Sequence, residues 1–328
     1  MNPLPRLVLA VAVLAFCVVA LGAYVRLSNA GLGCPDWPVC YGRLVPPTAA
    51  AEIKDANSAF PQRPVETGKA WKEQIHRYAA GTLGLGILLI AWLGFRRPGA
   101  LRPAALPYAL VALVVLQGLL GMWTVTLLLK PLVVVLHLLG GMTTLLLLWW
   151  LVLRNLWPAS AGSGGPDLRR HVIAAFAMLT LQIALGGWTS SNYAALACVD
   201  FPTCHGAFWP AMDFKEAFVL WRGLGINYEY GVLDAPARVA IHFTHRLGAL
   251  LTFVVLGLLA CRCLRGGRPV LKRAGTALAL ILLAQISLGI ANVRLGLPLA
   301  VAVAHNAGAA ALLLIVTTLL HLTTPLKQ

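Results

Sequence analysis

Charge is what this sequence has least of. Only 11% of its 328 residues are Asp, Glu, Lys or Arg, against about 25% in soluble globular domains. Acids are the scarcest, 11 against 26 Lys and Arg. With 59% hydrophobic residues and a mean hydropathy of +0.79, this shortage excludes a soluble domain and predicts a polytopic membrane protein. The net charge of +15 does not argue for nucleic acid, because the cations lie in short loops between apolar segments, where membrane topology is encoded. An Arg/Ser-rich transit segment is also lacking, which favours a bacterial-type inner membrane over organelle import. Met1–Arg6 followed by Leu7–Val25 has the outline of a signal peptide. Its apolar run is longer than a usual signal core, however, and it belongs to an internal repeat, so a retained helix is expected.

Apolar stretches of spanning length fall at roughly 7–27, 72–95, 103–127, 131–153, 170–190, 236–262, 271–292 and 298–322, predicting eight transmembrane helices. The loops sort by charge. The N-terminus, 96–102, 154–171, 262–273 and the C-terminus hold 13 cations and one acid, Asp167, whereas the opposite side holds 13 cations and 10 acids. The positive-inside rule then puts both termini in the cytoplasm and the two long loops, 28–70 and 191–235, outside.

The two halves are copies. Leu21-Gly22 and Cys34-Pro-Asp-Trp-Pro-Val-Cys40 match Leu185-Gly186 and Cys198-Val-Asp-Phe-Pro-Thr-Cys204 at an offset of 164. His76-Arg77 matches His245-Arg246 at 169, so the second outer loop has gained five residues. Gln117, Gly121 and His137 match Gln285, Gly289 and His305 at 168. The expected fold is all-α, two pseudo-symmetric four-helix bundles related as parallel repeats. The N-terminal bundle is 1–157 and the C-terminal bundle 169–328, joined by a Gly/Ser-rich cytoplasmic linker at 158–168.

Four histidines recur with the repeat: His76, His137, His245 and His305. Each lies near the outer end of a helix running inward, at a similar depth of roughly 8–15 Å. One His pair per bundle suits axial ligation of a haem iron, since helix bundles build cofactor sites this way and two imidazoles leave the iron no open position. The bland alternative is interhelical hydrogen bonding; zinc or copper would need further ligands that the sequence does not offer. Gly81, Gly84, Gly140, Gly141, Gly248 and Gly308 are expected to leave room for a flat macrocycle. Arg77 and Arg246 read either as partners of outward-facing propionates or as residues snorkelling to the headgroups. Glu73 and His242 each precede a repeated His by three positions and share its helix face. A carboxylate in one half and an imidazole in the other suggests different jobs, with Glu73 able to take a proton or stabilise charge. His242 reads as a propionate or water partner, or as an alternative ligand to His245.

Cys34/Cys40 and Cys198/Cys204, on the oxidising side, predict two disulfides. A loop this short gains about 2 kcal/mol in the chain-entropy account; a pair near a redox site could instead exchange electrons. Cys17, Cys261 and Cys263 read as buried or cytoplasmic thiols, His171 and His321 as interfacial, and His205 is given no role.

Taken together, Glu73-x-x-His76-Arg77, the Cys-Pro-Asp-Trp-Pro-x-Cys loop, His137, His245-Arg246 and His305 on eight helices resemble the haem A synthase family over essentially the whole chain. The resemblance implies oxidation of the C8 methyl of haem O to a formyl group with water-derived oxygen, giving haem A for terminal oxidase assembly. It implies substrate haem O on His76 and His137, a permanent haem b on His245 and His305, and Glu73 assisting the oxidation. It further implies a Cys34–Cys40 disulfide near the substrate site and a structural Cys198–Cys204. The substrate suggests delivery through the membrane lipid, with a haem O synthase as transient partner; the electron acceptor stays open. Two other classes remain as alternatives: a di-haem b electron-transfer subunit, whose two sites should be equivalent, and a haem exporter or chaperone.

Overall fold

The computed structural model describes residues 3–157, 165–266 and 268–325. Eight long helices account for most of it: α1 (Pro3–Leu27), α3 (Thr67–Arg96), α4 (Leu106–Thr126), α5 (Pro131–Leu156), α6 (Gly165–Ser191), α8 (Ala235–Arg265), α9 (Pro269–Arg294) and α10 (Leu299–Thr323). Two short helices, α2 (Ala50–Ala59) and α7 (Phe214–Ala217), sit in the long loops. Among the described residues the only β pairing is two isolated bridges. All eight long helices are long and apolar enough to cross a membrane, so the chain is an all-helical, multi-pass membrane protein. The expected spans agree with the helices to within a few residues. Of the expected linker, 158–164 lies outside the described residues, and Gly165–Leu168 open α6.

These helices are apolar on every side, as lipid requires of a spanning element. Leu148, Leu151, Leu256, Leu278 and Leu319 are fully buried between helices, while Leu85, Phe95, Leu250 and Leu280 point outward and are more than half exposed. Of the three unpaired cysteines, Cys17 and Cys261 are exposed and Cys263 is buried. In each half the helices form a closed ring of neighbours, α1–α3–α4–α5 in the first and α6–α8–α9–α10 in the second. The halves meet where α1 and α5 pack on α10 and α6.

Two tight turns keep consecutive helices antiparallel. Leu128 and Leu129, at φ of 50° and 60°, reverse the chain between α4 and α5, and Gly296 and Leu297, at 70° and 62°, do so between α9 and α10. Each turn delivers a repeated histidine, His137 or His305, to the second turn of the following helix. Several polar contacts join the halves. The Arg26 guanidinium donates to the Ser190 carbonyl at 2.5 Å and lies 4.2 Å from the centre of the Tyr193 ring. Trp149 Nε1 donates to Thr318 Oγ1 at 2.9 Å. His321, expected at an interface with solvent, is instead buried and hydrogen-bonded to the Trp157 carbonyl at 3.1 Å.

Candidate functional site

The cysteine loops form the end of the molecule nearest the repeated histidines. Both expected disulfides, Cys34–Cys40 and Cys198–Cys204, are present, and all four cysteines are buried. Each encloses the same turn. Asp36 accepts from the amides of Tyr41 and Gly42 at 2.6 Å each. Asp200 accepts from those of His205 and Gly206 at 2.6 and 2.9 Å. Tyr41 and His205 take φ of 55° and 53°, and the glycines after them 71° and 75°. Two successive residues at positive φ make the tight reversal that joins Cys40 to Arg43 and Cys204 to Ala207. His205 therefore serves as a turn residue. The Asp200 carboxyl is held well below the ordinary carboxylate range, first by the Thr203 hydroxyl and then by the loop amides. The Tyr41 ring packs edge-on to Phe60, and burial pushes its hydroxyl up to about 12.

Each loop is then fastened to the helix that carries a repeated histidine. Arg77, on α3, donates to the carbonyls of Asp36 and Val39 at 2.9 and 2.7 Å and to Glu73 at 2.5 Å. Arg246, on α8, donates to the carbonyls of Cys198, Asp200 and Thr203 at 2.8–3.0 Å and lies 3.3 Å from His242 Nε2. Most of the observed contacts of both arginines are thus with the cysteine loops, the others being with Glu73 and His242. Glu73 and His242 occupy equivalent places: the Cys34 amide donates to Glu73 Oε2 at 2.9 Å, and the Cys198 amide to His242 Nδ1 at 3.2 Å. Both side chains are buried. One half therefore keeps a buried carboxylate in an ion pair with its arginine, where the other has an imidazole.

One turn further into the helices sit the four histidines. Every one packs on a glycine of the neighbouring helix: His76 on Gly22, His137 on Gly121, His245 on Gly186 and His305 on Gly289. A Cβ at these glycines would lie 3.0–3.4 Å from the imidazole, so each ring lies against bare backbone. His76 is within electrostatic range of His137, and His245 of His305. Among the described residues no three His, Cys, Asp or Glu side chains gather to hold a bare metal ion. A pair of imidazoles without a third donor fits a metal that brings its own equatorial ligands, as the iron of a porphyrin does. The Nδ1 atoms of His76 and His137 are buried without a partner.

The chain is similar to known proteins over nearly its whole length. The family model described as cytochrome oxidase assembly protein, COX15-CtaA, matches residues 5–317. The chain belongs to this family. It is 46% identical to the Heme A synthase of Shewanella oneidensis over 307 residues, covering 92% of this chain and 91% of the relative. It is 30% identical to the Heme A synthase of Caulobacter vibrioides over 336 residues, covering 94% and 92%.

In this COX15-CtaA member the four histidines, Glu73, His242 and the two cysteine loops lie at one end of the helices. Glu73 and His242 share a face with His76 and His245, as the three-residue spacing predicts, and their polar contacts are with the cysteine-loop amides and with Arg77 and Arg246. The glycines near the histidines have different surroundings. Gly81 has open space around it, whereas Gly140, Gly248 and Gly308 make room for the amides of Gln117, Gln182 and Gln285. The glycines that meet the imidazoles are Gly22, Gly121, Gly186 and Gly289; their recurrence at the repeat offsets was the signal. Gln182 was missed altogether, because it has no counterpart in the first half. An open apolar cleft lies between α1 and α10, lined by Tyr24, Leu299, Ala300, Val303 and Ala304.

Proposed function

We propose that this chain is a haem A synthase: an oxidoreductase that converts the C8 methyl of haem O to a formyl group, using water-derived oxygen. The observation that carries the reading is the exchange of Glu73 for His242 within two otherwise equivalent loops. A di-haem carrier has no use for that difference; an enzyme with one reacting site and one electron-carrying site does. In this reading 1–157 is the substrate bundle, with His76 and His137 holding haem O, and 169–328 is the cofactor bundle, with His245 and His305 holding haem b. The haem iron, when bound, supplies the redox capacity that protein side chains lack.

The protein's own contribution is positioning and proton handling. His76 and His137 fix the macrocycle from two helices across the first bundle, against the bare backbone of Gly22 and Gly121. The loop closed by Cys34–Cys40 covers the end of that site and keeps bulk water from it. Glu73, held by the Cys34 amide and Arg77, is the one carboxylate buried there. It accepts a proton released as the methyl group is oxidised, and its negative charge stabilises the positive charge that develops. Arg77 and Arg246 keep further N–H groups that can meet the propionates. His242, tied to its own loop, leaves His245 as the ligand. Both disulfides are buried, which supports a structural role for each.

The loops lie on the periplasmic face of a bacterial inner membrane and the termini in the cytoplasm, as the charge of the loops indicates. The cleft between α1 and α10 supports lateral arrival of the hydrophobic substrate from lipid, with a haem O synthase as donor. The test is pigment extraction from the purified full-length protein after haem O has been supplied. Haem A is expected; two retained haem b groups and no haem A would overturn the proposal. In the same assay Glu73→Gln should lower haem A yield by about 100-fold or more while haem binding persists. An unchanged yield would remove Glu73 from the mechanism.

A further inference from the structure

The four histidines are repeat-related, yet their surroundings divide them two and two. In the second half both rings are tethered. The Gln182 amide nitrogen, on α6, lies 3.0 Å from His245 Nδ1 and donates to the His245 carbonyl at 3.0 Å. His305 Nδ1 lies 3.2 Å from the Gln285 carbonyl, and its Nε2 lies 3.4 Å from the Gln285 amide nitrogen. In the first half the Nδ1 atoms of His76 and His137 are buried with no partner. Gln117 matches Gln285, but its amide nitrogen is itself unpartnered.

The difference at His245 is written into two helices at once. The offset of 164 that maps Gly22 onto Gly186 maps Val18 onto Gln182, and the offset of 169 that maps His76 onto His245 maps Ala79 onto Gly248. In the second half the missing Cβ of Gly248 is what admits the Gln182 amide; a methyl group there would run into its oxygen. In the first half Val18 and Ala79 instead belong to the apolar core. A polar side chain and the space it needs have thus been exchanged together for an apolar pair.

An imidazole that binds iron through one nitrogen carries a proton on the other. A hydrogen bond at that second nitrogen fixes the ring's rotation and makes it a more basic ligand. A glutamine amide suits this position in either state: its NH2 donates to a bare nitrogen, and after half a turn its oxygen accepts from N–H. Valine does neither. We infer that Gln182 is a positioning residue of the second site, whose amide fixes the His245 ring so that this half retains its haem while the untethered first half lets its haem leave. The inference rests on the assignment of a haem to each histidine pair, and it supplies a reason why the two bundles differ in residence time: one must release its product, the other must not.

The experiment uses the full-length protein, loaded with haem and purified in detergent. Its readouts are the rate of haem loss to an added haem scavenger, the absorption spectrum and the midpoint potential of the retained haem. Three variants are compared with the parent: Gln182→Val, the pair Gln182→Val with Gly248→Ala, and Gln182→Glu. The pair rebuilds the Val18–Ala79 packing, so a result is obtained even where the single change leaves a cavity that impairs folding. Loss of the retained haem is expected to quicken by about 10–100-fold in the pair, with its potential raised because the ligand is less basic. Gln182→Glu keeps an acceptor at Nδ1 and should restore retention with a potential below the parent's. The reciprocal pair, Val18→Gln with Ala79→Gly, should slow release from the first half. Parent-like haem loss, spectrum and potential in the Gln182→Val/Gly248→Ala pair would overturn the inference. A parent whose haem content is untouched by His245→Ala would instead overturn the haem assignment beneath it.

Discussion

Gly33 sets the tolerance at the Glu73 end of the site. Its backbone lies against the first turn of α3, so close that a Cβ would sit 2.5–2.8 Å from the Lys69–Ala70 peptide. Those atoms belong to a helix and cannot swing aside as a side chain would. The next residue is Cys34, whose amide donates to Glu73, so the close approach seats that hydrogen bond. The second half has Ala197 at the equivalent position, so the tight approach belongs to the half with the carboxylate. Gly33→Ala should cost about 1–3 kcal/mol by overpacking, seen as a lower thermal midpoint in detergent, and should speed hydrogen exchange of the Cys34 amide. An unchanged midpoint with a still-protected Cys34 amide would show that the loop shifts without strain. Glu73 itself illustrates what a sequence conveys. The scarcity of acids at lipid depth singles it out, but nothing local says that its partners are a cysteine amide 39 positions earlier and an arginine one turn on.

At the scale of elements, the turn around Asp200 makes a pH prediction. Hydrogen bonds from Thr203, Gly206 and His205 hold the carboxyl below its ordinary value. A carboxyl with a depressed folded-state pKa contributes stability that is full above its unfolded value and fades as pH falls toward the folded one. The 198–207 turn should therefore lose protection progressively as pH falls from the usual carboxylate range toward the lower folded-state value, read from exchange of the His205 and Gly206 amides. Asp200→Asn should remove most of that acid dependence; an acid transition of the same size in the variant would assign it to another group. The helices were far more legible than such turns. Hydropathy is a local sum, so eight spans emerge from the sequence with nearly their observed bounds. The helix faces are another matter: His242 and His245 lie on one face, and only the folded loop shows that the first is spoken for by the Cys198 amide. Gln182 is the clearest case of hidden information, since its partner lies 63 residues away on a different helix.

Across the whole molecule, the second loop's extra length finds its use in the first half. Its 218–231 stretch reaches the α4–α5 turn, where the Tyr228 amide donates to the Leu128 carbonyl at 3.0 Å. Lys130, just before α5, is buried. Its ammonium donates to the Gly223 carbonyl and lies 3.8 Å from the centre of the Trp221 ring and 5.6 Å from that of Tyr228. Beside it, Arg63 and Glu229 form a half-buried ion pair at 2.7 Å, and Lys69 reaches the Tyr230 hydroxyl at 3.3 Å. A lysine withdrawn from water needs such partners, and a desolvated cation over an aromatic face contributes about 2 kcal/mol. The two halves are thereby clamped at the end where the cysteine loops cover the histidines. Lys130→Met keeps the length and apolar body of the side chain but removes the charge and the donor. It should release the 218–231 stretch from the α4–α5 turn, raising exchange of the Tyr228 amide by roughly 30-fold for a loss of about 2 kcal/mol. The Asp200 turn, where the hydrogen bonds of Asp200 run within 200–206 and to Arg246, should keep its protection. Tyr228 exchange unchanged in the variant would mean that the backbone hydrogen bond and the Arg63–Glu229 pair hold the halves together without the lysine.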